Sequence, residues 1–362
     1  MSLIIRYVFV INILYLCACG VRGKDDNVQT GWNNDLNRVE LNRNVEITGL
    51  LYHRFGEQKY PSTNISKELF REQMTFLKTN KYQVITLSEA IRKLLSVQEK
   101  GRFIVITVDD AFNSFLSNGF PLLKEFGFRA TLFVNTETIG NGDYLNWEEL
   151  QYLVDQGIEI GNHTHSHNYF LNVNQTDRPQ VFFKDVDIAQ KLIKERLNIQ
   201  PSVFSFPYGE YDIQMKNMIK DMDFIGAAAQ NSGVISSYSD LYALPRFPMT
   251  DMYGKMPAFK EKISMKALPV IKTIPESTIA QQNPPVLEIT LDKGDLDYSR
   301  LQCFIQGGGC KVTPIDDGNI SFRIISTQPL TSRRHLYTIT VPNKANTSWY
   351  WFSFQWVFPG IR

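Results

Sequence analysis

The chain is poor in the features that signal a disulfide framework, nucleic-acid binding or a membrane span. It has only 4 cysteines in 362 residues, and 38 lysines and arginines against 37 aspartates and glutamates give a formal net charge of +1. A near-neutral chain without a dense basic block has no broad attraction for nucleic acid. Hydrophobic residues make up 43%, enough for a large core and a smaller one, so we expect two domains.

The N-terminus has the layout of a secretory signal. Arg6 precedes an apolar run over 7–16, which is too short to span a bilayer comfortably and is followed by small residues. We expect residues 1–23 to be either a plain signal peptide or a lipoprotein signal, in which Cys19 is lipidated and attaches the protein to a membrane. Both interpretations predict export to the periplasm, to the outer membrane as a lipoprotein, or to the outside of the cell.

Two cysteines remain beyond the signal region. Cys303 and Cys310 flank a glycine-rich, turn-like insert, and no histidine lies near them in the sequence. A zinc site is therefore disfavoured. In an oxidising compartment we expect a small hairpin disulfide, with two free thiols as the alternative.

Strand and helix patterns alternate through the first two thirds of the chain. After a polar tether over 24–44, the region 45–265 has capping boxes at Thr86 and Asn146 and repeated apolar runs. Repeated strand–helix–strand units require parallel pairing, hence an α/β sheet or barrel. The predicted strands cover 47–53, 103–108, 130–134, 158–161, 203–206 and 224–228. The predicted helices cover 68–78, 86–95, 115–126, 146–157, 183–197 and 213–222.

The pattern changes beyond residue 265. Four prolines in 266–285 predict a linker, and 286–362 contains strand patterns separated by turn signals, with no evident helix. We expect a small all-β sandwich there. Its predicted strands cover 286–291, 301–305, 320–325, 336–341 and 349–357.

Histidines and aspartates cluster where two of the predicted parallel strands end. Three of the five histidines lie within 163–167, after one strand, and Asp109 and Asp110 directly follow another. In an α/β barrel, loops at the carboxyl ends of the strands build the active site. These side chains can therefore meet on one rim.

Their spacing favours a metal site with an open position. His163 and His167, four residues apart, fall on one side of a helical turn, whereas His165 points elsewhere. Two imidazoles and one carboxylate suit zinc and leave room for water, and the second aspartate is free to act as general base. The alternative is that the aspartates only cap the following segment and the histidines are surface residues. The combination predicts metal-assisted hydrolysis.

Three motifs resemble those of a known family. Thr107-Val108-Asp109-Asp110, then His163-Thr164-x-x-His167, then Phe204-Ser205-Phe206-Pro207-Tyr208-Gly209 are similar, in order and spacing, to motifs of the polysaccharide deacetylases, a group of carbohydrate esterases. The resemblance spans about residues 47–259. It implies a distorted (β/α) barrel for this part of the chain, ahead of the β-sandwich expected from the strand pattern.

The resemblance also implies a division of roles. Asp109 would be the base, and Asp110, His163 and His167 would hold a divalent metal, zinc by preference. Attack of water on an acetyl carbonyl would give a tetrahedral oxyanion, stabilised by the metal and by a backbone N–H near Tyr208. Pro207 and Tyr208 would be the substrate or oxyanion residues.

The sequence departs from the family pattern at two places. Ser205 occupies the place of the arginine that orients the base, so we expect Arg246 to substitute for it, unless it is an ordinary loop arginine. The late Leu-x-His motif, which carries the general acid, is missing. His53 ends the first barrel strand and is our candidate for a catalytic or substrate contact, whereas His335 is expected to be structural.

In these departures, and in its Tyr52-His53-Arg54-Phe55 segment, the sequence resembles the branch of the family that deacetylates poly-β-1,6-N-acetylglucosamine. The sequence therefore predicts an exported hydrolase that removes acetyl groups from an N-acetylated polysaccharide. The alternatives are an O-acetyl esterase acting on xylan or peptidoglycan, and a non-catalytic carbohydrate-binding lipoprotein. The sequence leaves the oligomeric state open.

Overall fold

The computed structural model describes residues 41–361. The expected signal segment, its Cys19 and most of the polar tether lie outside the described residues. The described end of that tether, residues 41–44, is docked on the protein: Asn42 donates hydrogen bonds to the carbonyls of Leu94, Ser96 and Glu99. Across 41–361, no helix combines the length and apolar character that crossing a membrane requires.

Strands and helices alternate up to residue 264. The strands are β1 Val45–Tyr52, β2 Arg54–Phe55, β3 Asn64–Ile65, β4 Gln83–Ile85, β5 Gly101–Val108, β6 Thr131–Val134, β7 Glu159–Asn162, β8 Val203–Ser205, β9 Gly226–Ala228, β10 Val234–Ile235 and β11 Phe247–Pro248. The helices are α1 Lys67–Thr79, α2 Leu87–Leu95, α3 Phe120–Phe126, α4 Trp147–Asp155, α5 Arg178–Leu197, α6 Ile213–Asp221 and α7 Met256–Ser264.

Side-chain caps explain where several helices begin. The predicted capping boxes are confirmed at Thr86 with Glu89, before α2, and at Asn146 with Glu149, before α4. Each cap satisfies N–H groups that the first helical turn leaves unpaired. The predicted helix over 115–126 is instead a π-helical turn, Phe115–Gly119, followed by α3.

Nine of the described strands form one curled, largely parallel sheet, which confirms the distorted barrel. Its order is β10-β1-β5-β6-β7-β8-β9, with β4 also pairing with β5 and β11 with β1. Only the β1–β10 pair is antiparallel. The parallel strands end on a common rim, which brings together the loops that follow them.

One segment joins the two edges of this sheet. Leu244 bridges to Ala228 in β9, and three residues later β11 pairs with β1 in parallel register. The backbone N–H of Met249 then donates to the Leu51 carbonyl. Arg246 lies between these two pairings, so its position is fixed from both sides.

The C-terminal part is a β-sandwich, as predicted. Its strands are β12 Lys266–Ala267, β13 Val270–Ile274, β14 Val286–Leu291, β15 Gln302–Phe304, β16 Cys310–Ile315, β17 Ile320–Ser326, β18 Arg334–Pro342 and β19 Trp349–Val357. In the described residues they form two sheets, β12-β19-β18-β15 and β13-β14-β17-β16. Side chains of both sheets, among them Ile289, Ile339 and Trp356, share one buried core.

The sandwich differs from the prediction in two places. The segment 266–285, expected to be a linker, contributes β12 and β13, because its chain pairs with β19 and β14 before the prolines at 284 and 285. Strand β16 was missed, because it is a half-exposed edge strand that contains Pro314 and pairs only with β17. Edge positions tolerate proline.

The predicted disulfide is confirmed between Cys303 and Cys310. The two cysteines lie on β15 and β16, which belong to different sheets. The bond therefore links the two layers of the sandwich, besides closing the short connection between them.

Replacement of Tyr337 by Phe should destabilise the protein. The Tyr337 hydroxyl donates to the Pro285 carbonyl at 2.8 Å and accepts from the Ser326 N–H at 3.0 Å, across the sandwich core. Loss of the hydroxyl leaves two buried groups unpaired, so we expect the free energy of unfolding to fall by about 1–3 kcal/mol in denaturant titration. In the control, Tyr152→Phe at an exposed position, the change should stay within about 0.5 kcal/mol; equal changes in both variants would contradict this.

Candidate metal centre and active site

The predicted site residues lie where the parallel strands of the barrel end. His53 follows β1, Asp109 and Asp110 follow β5, and His163 follows β7. The hydrogen bonds of neighbouring strands hold these positions side by side: Asp109 N–H donates to the Tyr52 carbonyl and His163 N–H to the Val134 carbonyl. One rim therefore collects residues that are far apart in the sequence.

Asp109 is held by a buried arginine. Arg246 donates from Nη1 to Asp109 Oδ1 at 2.8 Å and from Nη2 to Oδ2 at 2.9 Å, and the two residues are 1% and 0% exposed. The remaining N–H groups of the guanidinium donate to Thr107 Oγ1, Ser205 Oγ and the Ala229 carbonyl. All five donors of this arginine are satisfied, which fixes the orientation of the carboxylate.

The barrel interior is shaped to admit this arginine. A Cβ added at Gly49 in β1 would lie 3.2 Å from Arg246 Cγ and 3.1 Å from the Pro245 carbonyl oxygen. A Cβ at Gly161 in β7 would lie 2.4 Å from the Phe133 ring, whose centroid is 5.5 Å from the guanidinium. Side chains at either glycine would displace the groups that surround Arg246.

Asp110, His163 and His167 form a group with the geometry of metal ligands. One ligand atom from each lies within 4.8 Å of the others. Asp110 Oδ1 is 3.5 Å from His163 Nε2 and 3.2 Å from His167 Nε2. The Nδ1 of His163 is 2.7 Å from the Ser205 carbonyl, to which it donates, so Nε2 is the nitrogen presented to the group.

Asp110 Oδ1 is buried and has no hydrogen-bond partner among the described residues. A buried carboxylate oxygen without a partner is costly. A divalent cation between this oxygen and the two imidazole nitrogens would satisfy it, and two nitrogens with one carboxylate are a donor set suited to zinc. The residues present therefore fit a metal.

Strained backbone is concentrated at this group. Of the nine non-glycine residues with φ between +51° and +74° among the described residues, five lie here: Asp110, Ala111, Thr164, His167 and Tyr208. Such conformations are unfavourable for residues with a Cβ and persist where the surroundings impose them. Hydrogen bonds do so here: Asn162 Oδ1 accepts from the Thr164 N–H, and Thr164 Oγ1 accepts from the His167 N–H.

The charges at the site shift the ionisation of its members. Burial opposes ionisation of Asp109, but Arg246 and His163 outweigh it and hold the pKa of this carboxyl below its usual value. The pKa of Asp110 is lowered too, because contacts with His163, His53 and His167 outweigh its burial. Both carboxylates are therefore ionised at neutral pH.

The imidazoles respond in different directions. Burial works against the protonated form of His163, but Asp109 and Asp110 outweigh it and raise its pKa. Burial and then the charge of His163 lower the pKa of His167 to about 4. Burial also lowers the pKa of His53, although Asp110 and Asp109 act in the opposite direction.

Tyr208 lines the site next to His167. The ring centroids of Tyr208 and His167 are 4.6 Å apart. Tyr169 stacks on Tyr208, with a centroid distance of 3.7 Å and an interplanar angle of 5°. Pro207, Tyr208 and Gly209 form a 3₁₀ turn directly after β8. Burial raises the pKa of the Tyr208 phenol, which therefore stays protonated.

Like His53, His165 and His335 lie outside the ligand group. His165 Nδ1 is 2.8 Å from Thr136 Oγ1, and its backbone N–H donates to Asp185. His335 Nε2 accepts from the Ser332 N–H in the sandwich. The sequence did not predict that Thr107 and Ser205 contact Arg246. They lie 139 and 41 positions before it in the chain, and no spacing pattern connects residues so far apart.

Comparison with known proteins agrees with this geometry. The family model "Polysaccharide deacetylase" matches residues 96–226. A poly-β-1,6-N-acetyl-D-glucosamine N-deacetylase of Staphylococcus aureus strain MSSA476 is 23% identical over 221 residues, which cover 57% of this chain and 74% of that protein.

Solved structures share the fold. The Streptococcus pyogenes deacetylase PplD has a TM-score of 0.55 at 19% identity, over 60% of this chain and 98% of that one. IcaB from Ammonifex degensii has a TM-score of 0.53 at 21% identity, over 60% of this chain and 96% of that one. Residues 96–226 thus match the polysaccharide deacetylase family model, and the fold is shared with these two structures.

Proposed function

We propose that the protein is a metal-dependent hydrolase that removes acetyl groups from an N-acetylated polysaccharide, and that this polysaccharide is poly-N-acetylglucosamine. The observation that carries the proposal is the buried Oδ1 of Asp110, which has no hydrogen-bond partner within residues 41–361 and lies 3.2 and 3.5 Å from two imidazole nitrogens. Next to it is a second carboxylate, that of Asp109, which is held by an arginine. The pair can divide the work of binding a metal and moving a proton.

In this proposal Asp110, His163 and His167 hold the cation, for which zinc is our first choice. When bound, a divalent cation supplies Lewis acidity that acidifies water and polarises the acetyl carbonyl. The hydrogen bond from His163 Nδ1 to the Ser205 carbonyl keeps Nε2 free for ligation. The left-handed backbone at Asp110 and His167 aims their side chains at the same point.

Asp109 is the proposed general base. Its carboxylate is ionised at neutral pH, and its Oδ2 lies 3.9 Å from His163 Nε2, beside the proposed ligand group. The clamp by Arg246 fixes the direction of both oxygens, so one of them can take a proton from water without first reorienting. Arg246 thereby takes the role of the arginine that the family has at the position of Ser205.

His53 is the proposed general acid. The nitrogen that leaves the acetyl group must gain a proton when the C–N bond breaks. His53 follows β1, beside β5 and its aspartates, and the charges of Asp110 and Asp109 act on it. Its lowered pKa makes the protonated imidazole a stronger acid and keeps the protonated fraction small near neutral pH.

The turn at Pro207-Tyr208 is proposed to bind the oxyanion. Within it the N–H groups of Gly209 and Glu210 donate to the carbonyls of Phe206 and Pro207. We assign the Tyr208 N–H to the developing negative charge of the acetyl oxygen. Fixed N–H donors of this kind lower the barrier to acyl transfer by about 3–4 kcal/mol each.

The substrate proposal draws on the relatives and on the rim. The S. aureus relative is named for deacetylation of poly-β-1,6-N-acetyl-D-glucosamine, and we extend that substrate to this chain. Tyr169, 38% exposed, is an aromatic side chain on the rim, and aromatic faces suit sugar rings. We further propose that residues 45–265 form the deacetylase domain, 286–362 an accessory domain, and that the protein is exported, since a disulfide fits an oxidising compartment.

Metal binding should depend on His163 and not on His165. In zinc titrations of metal-free protein by calorimetry, His163→Ala should weaken binding by about 100-fold or more, because loss of even a hydrogen-bond partner of a metal ligand typically costs about 10–100-fold. The matched variant His165→Ala, two residues away, should bind zinc like the wild type, because its imidazole contacts Thr136 instead. Equal affinities in the two variants would exclude the proposed ligand set.

Acetate release should identify the substrate class and the base. We expect release from β-1,6-linked N-acetylglucosamine oligomers to exceed release from β-1,4-linked oligomers and from acetylated xylan. Asp109→Asn should lower kcat by about 100-fold or more, since it removes a positioned general base. Asp187→Asn, at an exposed ion pair on α5, is the matched control and should leave kcat unchanged.

The other outcomes of this assay separate the alternatives. Faster release from acetylated xylan would identify an O-acetyl esterase. Glycan binding that persists in chelator, without acetate release from any substrate, would identify a binding protein and overturn the proposed activity.

A further inference from the structure

The β-sandwich reaches the rim of the proposed active site. Polar side chains at the start of β18 and on β19 contact three successive residues of the turn after β8. Arg334 Nη1 donates to the Tyr208 carbonyl, and Gln355 Nε2 donates to the Gly209 carbonyl at 2.9 Å. Arg333 holds both carboxylate oxygens of Glu210, at 2.8 and 2.7 Å.

Arg333 also holds the loop that follows His167. Its Nη1 donates to Asn172 Oδ1 at 2.8 Å, and its guanidinium lies 4.4 Å from the centroid of the Tyr169 ring. Tyr169 in turn stacks on Tyr208. One arginine of the sandwich thus connects the loops that carry the second and third motifs.

The turn after β8 has an unfavourable backbone conformation, which contacts from neighbouring residues must stabilise. Tyr208 has φ +59° and ψ 6°, a left-handed conformation that a residue with a Cβ adopts only under constraint. Gly209 follows with φ +68°, and a Cβ there would lie 2.5 Å from the Gln230 backbone nitrogen. The side chain of Gln230 also accepts from Arg334 Nη1, at 3.3 Å. The contacts from the sandwich therefore fall on the strained part of the chain.

Arg333 and Glu210 are largely buried, whereas Arg334 is partly exposed, so Arg334 is the better position for a substitution. The Glu210 side chain is 2% exposed and that of Arg333 is 11% exposed, so this ion pair belongs to the interior. The Arg334 side chain is 38% exposed. A change at Arg334 therefore alters the contact with Tyr208 and an ion pair of 3.7 Å between its Nε and Glu210 Oε1. Glu210 keeps both hydrogen bonds from Arg333, so no buried charge is left unpaired.

We propose that Arg334, together with Arg333 and Gln355, is a positioning residue of the deacetylase site, and that the sandwich holds the Tyr208 turn in the conformation that catalysis requires. The proposal rests on the proposed function for its catalytic consequence. The three residues lie outside the matched stretch 96–226. They give the sandwich a part in the chemistry, in addition to any part in binding glycan.

The test compares Arg334→Met with Arg323→Met in the full chain. Arg323 is an exposed arginine of the other sheet, paired with Glu288, and serves as the matched control. For Arg334→Met we expect kcat for acetate release to fall about tenfold or more, with KM and zinc affinity within about twofold of wild type, because the turn is proposed to act on the transition state. Arg334→Lys, which keeps a donor for the Tyr208 carbonyl, should recover part of kcat.

Hydrogen exchange of the peptide over 204–212 supplies a readout that does not need turnover. Its amides should exchange faster in Arg334→Met and at the wild-type rate in Arg323→Met. Wild-type kcat together with wild-type exchange in Arg334→Met would overturn the inference, and so would a loss of thermal stability without a change in kcat. If the wild type itself releases no acetate, the proposed function fails, while exchange at 204–212 still decides whether the sandwich holds the turn.

Discussion

The buried ion pair between Asp109 and Arg246 is the interaction around which the site is organised. A carboxylate that is fully buried loses its hydration, and the two hydrogen bonds at 2.8 and 2.9 Å from the guanidinium compensate for that loss. Arg246 can make them because residues 244–249 join both edges of the curled sheet. Closure of the barrel and orientation of the proposed base thus depend on the same short segment.

The rest of the site is built on that frame. Strand order brings the loop of Asp110, after β5, and the loop of His163, after β7, to the same rim with β6 between them. Several residues of these loops have left-handed backbone. Local hydrogen bonds stabilise the left-handed conformations at Thr164 and His167. At Tyr208, a side chain of the sandwich does so. These contacts preorganise Asp110, His163 and His167, although Asp110 Oδ1 has no hydrogen-bond partner in the described part of the chain.

Features that local sequence patterns encode are predictable from the sequence alone. Strand ends followed by Asp109-Asp110 and by His163 predicted a common rim, and capping boxes predicted helix starts at Thr86 and Asn146. Contacts over long separations had no such signal: Arg246 meets Thr107 across 139 positions, and Arg333 meets Glu210 across 123. The sequence points to Arg246 only through the resemblance, because Ser205 stands where the family motif has its arginine. Strand β16 is not predictable from its own residue pattern, because it is a strand only through its pairing with β17.

The central claim is that Arg246 supplies the positive charge which the family places at the position of Ser205. Its most direct measurement compares kcat/KM for acetate release in Arg246→Ser with that in the double variant Arg246→Ser, Ser205→Arg, using folded protein of equal zinc content. Since Ser205 Oγ lies 3.3 Å from Asp109 Oδ2, an arginine there starts beside the same carboxylate. The account predicts a loss of about 100-fold or more in the single variant and partial recovery in the double variant. Wild-type activity in Arg246→Ser would contradict it.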